Sequence, residues 1–246
     1  MKTGYLALEV KRAIRNPRTL IFTLAFPVAL FLLYCGMYGN QTIDPSTHVT
    51  AKAYLMVSMA AYGAFMAAMT GASRTALERA SGWQRQLRLT PLTGSGYLLA
   101  KGLVALLVAL PPIVLVSAIG GLAEGVHLSA GGWLQVVLGV WAATIPFAVL
   151  GLLVGQLATA DSLQPITMTL MLLLAFIGGI FIPTAIFPHW LANIAQVLPS
   201  YWLAEIGHGA LYGNTDVGKA VLILGIYTVV LGFAVVRRYR RDSARV

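Results

Sequence analysis

Apolar residues run along this chain in long blocks, separated by short polar stretches. The blocks are Thr19–Tyr38, Ala53–Ser73, Gly102–Leu122, Trp133–Ala158, Pro165–Phe187 and Val217–Val236. Each holds about 20 residues or more, enough for an α-helix to cross roughly 30 Å of hydrocarbon. Pro27 predicts a kink in the first block, and Pro111-Pro112 interrupt the third. Such breaks survive in a bilayer when neighbouring helices or waters take up the freed carbonyls. The pattern predicts an all-α integral membrane protein, six transmembrane helices in a single domain over residues 1–246.

Three segments depart from plain span-and-loop alternation. In residues 1–18, Leu6, Val10, Ala13 and Ile14 share one helical face, and Lys11, Arg12 and Arg15 fall largely opposite. This predicts an interfacial amphipathic helix ended by Asn16-Pro17; the alternative is a basic tail that only sets topology. Residues 74–101 form a polar island with Arg74, Arg79, Arg85, Arg88 and Lys101 against one acid, Glu78. A short helix from about Arg74 to Leu89 would present Leu77, Trp83, Leu87 and Leu89 on one side. Residues 183–212 are too apolar for an exposed loop and too broken by Pro183, Pro188 and Pro199 for one span. They predict a re-entrant pair of short helices dipping into the outer leaflet, with Trp190, Tyr201, Trp202 and Tyr212 at interface level.

Charge orients the blocks. Fifteen of the 17 Lys and Arg residues lie before the first block, in the island, or after the last block; only Lys52 and Lys219 lie on the other side. The positive-inside rule places both termini and residues 74–101 in the cytoplasm. Composition agrees with a membrane protein: 58% of residues are hydrophobic and 10% charged, against about 25% charged in soluble domains, and the mean hydropathy is +0.79. The net charge of +9 therefore reflects topology and not nucleic-acid binding. The one cysteine, Cys35, excludes an intrachain disulfide and a thiolate metal site. No cleavable signal peptide is expected. Arg outnumbers Lys 12 to 5, which with many Ala, Gly, Leu and Val suggests a GC-rich bacterial genome and hence the cytoplasmic membrane.

Candidate chemistry is sparse. Met59, Tyr62, Met66 and Met69 make one stripe on the second helix, and Met168, Met171 and Phe176 add similar side chains on the fifth. Methionine suits adaptable apolar binding, so these residues are read either as a substrate wall or as ordinary packing. Glu205 and His208 are read either as an outer gate or as a capped, paired set at the outer interface. Asp161 is expected to cap the fifth helix. No span carries a strongly charged residue at its centre, which argues against ion coupling. The four histidines share no metal-ligand spacing, and no G-x-x-x-x-G-K-[ST] phosphate loop occurs.

Three passages resemble the membrane subunit of type-2 ABC exporters. The first is the amphipathic N-terminus leading through Arg15-Asn16-Pro17 into the first span. The second is Glu78-Arg79 with Gly82, Leu87, Leu89 and Pro91-Leu92. The third is Gly178-Gly179, Pro183, Pro188, Leu191, Ile194 and Pro199. The resemblance implies a permease that moves drugs, polysaccharides or lipids outward, and ATPase-coupling residues at Glu78, Arg79, Gly82, Trp83, Arg85, Leu87, Arg88 and Pro91. It implies a separate ATPase subunit in two copies that binds ATP and Mg. It also implies a second permease copy, as homodimer or related heterodimer. This chain itself is expected to bind no cofactor or nucleic acid, only these partners and membrane lipid. Where the family usually carries a second basic residue, this chain has Glu205 and His208. Hydrophobic or amphiphilic drug-like cargo is favoured, with a polysaccharide or lipid-linked glycan as the alternative. An intramembrane enzyme ranks lower for want of a nucleophile and base, and a secondary transporter for want of paired broken helices.

Overall fold

The computed structural model describes residues 3–15, 17–39, 41–44, 49–83, 86, 93–213 and 216–243. Helix α1 (Thr3–Ile14) precedes α2 (Pro17–Tyr38), which begins on a proline, where a missing N–H costs nothing. A small antiparallel hairpin, β1 (Thr42–Asp44) and β2 (Val49–Thr50), links α2 to α3 (Ala51–Ser73). The hairpin is an addition to the expected all-helical chain. Helix α4 (Thr75–Ala80) follows almost without a break, then come α5 (Gly94–Leu122) and α6 (Ala130–Leu157). Helices α7 (Leu163–Ile177), α8 (His189–Val197), α9 (Pro199–Tyr212) and α10 (Val217–Ser243) complete the chain.

Local chemistry sets several of these boundaries. Thr50, Thr93 and Ser129 each accept a hydrogen bond from the backbone N–H three residues on, capping α3, α5 and α6. Asp161 does not cap α7. Ser162 holds the N-cap position but makes no side-chain bond to the helix; it and Thr159 instead exchange hydrogen bonds that close the preceding turn.

Helix α3 is the hub. It is 78% buried over its span, while α2 and α10 are only 22% and 17% buried. Hydrocarbon gives no hydrophobic drive for helices to associate, so close backbone approach decides packing. At Gly63 an added Cβ would stand 2.8 Å from Pro112 and 3.1 Å from Pro27, so α2 and α5 meet α3 at a point with no side chain, and α5 runs on as one helix through the Pro111-Pro112 pair expected to interrupt it. Trp141 on α6 donates its indole N–H to the Leu106 carbonyl of α5 at 2.8 Å. Residues Gln135–Gly139 of α6 are π-helical, and the Gln135 side chain donates to the Ile206 carbonyl of α9 at 2.9 Å.

Among the described residues, five helices are long and apolar enough to cross a membrane: those within Ile21–Tyr38, Ala51–Ala80, Gly94–Leu122, Ala130–Leu157 and Val217–Arg241. The fifth expected span is shorter than its apolar block. Helix α7 stops at Ile177 after 15 residues, about 22 Å, and does not continue to Phe187. Gly178 abuts Ser200 and Gly179 adopts φ +79°, a left-handed conformation that ends a helix. Residues 180–188 then form irregular backbone with one 3₁₀ turn, Thr184–Ile186. Two helices, α8 and α9, follow where the broken apolar segment predicts a pair. Pro199 divides them, Trp202 donates to the Gln196 carbonyl, and Tyr227 of α10 donates to the Val197 carbonyl.

Candidate functional site

At the end of the molecule where the basic segments gather, α1, α4 and α5 meet around a buried ionic cluster. Lys101 on α5 donates to Glu9 of α1 at 2.5 Å and also to Glu78 of α4. Glu78 accepts further bonds from the Tyr97 hydroxyl at 2.7 Å and from Arg12 at 3.4 Å. Glu9, Glu78 and Lys101 are each 4–6% exposed. Buried charge is tolerated only when paired and hydrogen-bonded, and here one ammonium serves two carboxylates from two helices. Burial, then the charges of Glu9 and Glu78, push the Tyr5 phenol well above its usual range, so it stays protonated.

Neither Glu9 nor Lys101 stands out for this role in the sequence. Glu9 lies on the expected apolar face of α1, and Lys101 counts toward topology. The available signal is that Glu9 and Glu78 are lone acids in basic segments.

The rest of the polar segment after α3 is anchored by Arg79. Its guanidinium donates to the carbonyl of Gln156 and, at 2.7 Å, to that of Ala158. It thus caps the C-terminal end of α6, where carbonyls lack helical partners and a cation is favoured. The expected helix from Arg74 to Leu89 is broken. Helix α4 ends at Ala80, Ser81 caps it, and Gly82 turns the chain with φ +75°. A glycine costs least in that conformation. Trp83 beyond the turn is half-buried, and the Arg12 guanidinium lies 5.9 Å from its ring centroid. Leu77 is 47% exposed. Arg85, Leu87, Arg88 and Pro91 lie outside the described residues.

The opposite end carries further polar contacts. Lys52 at the start of α3 pairs with Glu124 after α5 at 3.1 Å. His208 does not serve Glu205 by any described bond. Its ring nitrogen Nε2 meets Ser58 Oγ of α3 at 2.9 Å, and the ring stacks on Tyr54 with centroids 4.0 Å apart. The sequence gives no hint of this Ser–His pair. Both residues are enclosed, at 1% and 6% exposure, so the pair fastens α9 to α3 and is closed to an approaching substrate.

The methionine and aromatic candidates separate by environment. Met59, Tyr62 and Met69 on α3 are 0–4% exposed, and Met171 is 5% exposed. Met66 is half-buried. Met168 and Phe176 on α7 are about half exposed. Rings connect part of the set: Phe26 to Tyr62 at 6.1 Å, Tyr62 to Phe181 at 4.7 Å and Phe181 to Phe176 at 5.1 Å. These are ordinary separations for attractive aromatic pairs. Phe26 and Phe181 join the candidate set only in the fold, since they come from α2 and from the irregular stretch after α7.

A bundle of membrane-length helices with an N-terminal side helix and a basic segment after its second long helix defines a class of membrane permease. The family model described as ABC-2 type transporter matches residues 5–212, and the chain belongs to that family. It is 27% identical over 234 residues to "Putative transport permease YvfS" of Bacillus subtilis (strain 168), covering 95% of this chain and 94% of that protein. The chain is a multi-pass membrane transport permease of an ABC transporter. It associates with an ABC ATPase and is not itself the ATPase.

Proposed function

We propose that this permease exports hydrophobic or amphiphilic small molecules, drug-like or antibiotic-like, across a bacterial cytoplasmic membrane. Two copies pair, and two separate ATPase subunits holding ATP and Mg drive them from the cytoplasmic side. Both termini and residues 74–101 face the cytoplasm. The observation that carries this reading is the basic segment after α3. It is fixed to α1, α5 and α6 through Glu78 and Arg79, yet leaves Leu77 exposed toward a soluble partner. Apolar anchors of this kind supply most interface energy, while charges around them set encounter.

The cargo passes along the seam formed by α2, α3 and α7. The ring line Phe26–Tyr62–Phe181–Phe176 supports that path, and Met66 of α3 and Met168 of α7 are assigned to it as well. Residues 183–212 re-enter from the outer side, and His208 with Glu205 controls their separation from α3. Cells expressing the permease with its ATPase are to be challenged with a panel of hydrophobic compounds, with and without Met66→Ala. The variant is expected to change the ranking of exported compounds at unchanged expression. A uniform loss with a lower melting temperature would assign Met66 to packing, and an unchanged panel would place it on lipid.

A further inference from the structure

Between α1, the α3–α4 junction and the first turns of α5 lies a cavity of about 350 Å³. This is within the size range of small-molecule sites, and Leu77 and Glu78 of the proposed coupling segment are part of its wall. Its lining is mixed: Glu9, Arg12, Arg74, Glu78 and Lys101 are charged, and along α5 the wall passes from Lys101 to Val104, Ala105 and Val108. Lys101 and Val108 are separated by about 10 Å along α5. A slot that turns from charged to apolar over that distance matches a headgroup joined to the start of an acyl chain.

The charge balance selects the headgroup. Three bases face two acids, leaving one net positive charge. Lys101 already engages both acids, and Tyr97 also donates to Glu78. Arg12 makes a longer 3.4 Å contact with Glu78 and its side chain is 58% exposed, so much of its five-donor fork faces outward. Guanidinium groups bind phosphate oxygens in pairs, more selectively than an ammonium does. We propose that this cavity holds the phosphate headgroup of an anionic inner-leaflet lipid, with Arg12 and Arg74 on the phosphate and hydrocarbon along Val104 and Val108. Because Arg12 also lies over the Trp83 ring, the lipid would join the interfacial helix to the coupling segment.

The test is lipid retention by the full-length protein in detergent, read by native mass spectrometry and by melting temperature. The probes are phosphatidylglycerol, phosphatidylcholine and inorganic phosphate. Phosphatidylglycerol is expected to be retained over phosphatidylcholine and to raise the melting temperature. Arg12→Gln with Arg74→Gln should cut retention about tenfold, the loss expected for one charged hydrogen bond. Arg240→Gln with Arg241→Gln, at the far basic end of α10, should leave it unchanged. Equal losses in both double variants would mean general attraction to basic residues and would overturn the site. So would undiminished retention in the first. An equal melting shift with inorganic phosphate alone would make it an anion site without lipid. If the Arg12/Arg74 variant fails to fold, Arg12→Gln alone decides, since its side chain is mostly exposed: retention must fall, and no change refutes the proposal. The inner-leaflet placement rests on the orientation proposed above, but retention in detergent is independent of orientation, so the two can fail separately.

Discussion

Lys101 is the residue on which three helices depend, and removing it is more costly than replacing the whole cluster. Lys101→Met leaves the Glu9 and Glu78 carboxylates buried without their shared counter-charge, which costs about 3–5 kcal/mol for a broken buried pair. The melting temperature in detergent should fall steeply, and adding Glu9→Gln and Glu78→Gln should restore much of it. Absence of rescue would show that the ammonium does not bridge the two acids. The Ser58–His208 contact is predicted to behave as a coupled pair of neutral groups. Either single alanine leaves a buried polar partner unsatisfied, at about 1–3 kcal/mol, while the double change costs less than the sum. Strict additivity of the two melting shifts would rule out the bond. His208 is visible in the sequence as an odd polar residue in an apolar segment. Its partner, 150 positions away, is one of several serines in apolar surroundings and carries no mark.

At the scale of the element, the segment after α3 shows how a local pattern is reshaped by its neighbours. The apolar spacing from Leu77 onward suggests one continuous helix. Gly82 in a left-handed conformation stops it, and Arg79 caps α6 within the permease. Two roles follow. Trp83→Ala or Leu87→Ala should weaken co-purification with the ATPase roughly 30-fold, the effect of losing an interface anchor worth about 2 kcal/mol. Arg79→Ala should keep co-purification and lower transport, because its contacts run to α6 within the permease. Unchanged co-purification and transport in both the Trp83 and Leu87 variants would refute the anchoring role. Weakened co-purification in the Arg79 variant would place its guanidinium at the interface. Helix α7 makes a related point. Its apolar block continues for ten residues past Ile177, but hydropathy does not register that Gly178 must fit against Ser200.

For the whole molecule, orientation is the property most open to a direct check. In a Cys35→Ser background, a cysteine at Gln86 should react only with reagent admitted to the cytoplasm, and one at Gln41 with reagent applied outside. Outside labelling at Gln86 would invert the arrangement. The weak burial of α2 and α10 also belongs to this scale. At 22% and 17% buried, they leave much of their surface to lipid or to a second copy, whereas α3 is enclosed within one chain.

The sequence alone determined the membrane class, the helix-rich chain, the N-terminal side helix, and the position of the broken segment before the last helix. These follow from run length, amphipathic period and proline placement, which act locally and need no partner. The resemblance carried by Glu78-Arg79 and the Gly178–Pro199 passage was also legible, and the family match bears it out. Only the tertiary structure decided which residues act together. Glu9, Glu78, Tyr97 and Lys101 come from three helices, as do the rings of Phe26, Tyr62 and Phe181 from three separate stretches. A charge near the end of an apolar block reads the same whether it faces water or another buried charge. The difference arises when helices pack closely enough to exclude solvent, and that depends on approaches such as Gly63 against Pro27 and Pro112, which no linear pattern encodes.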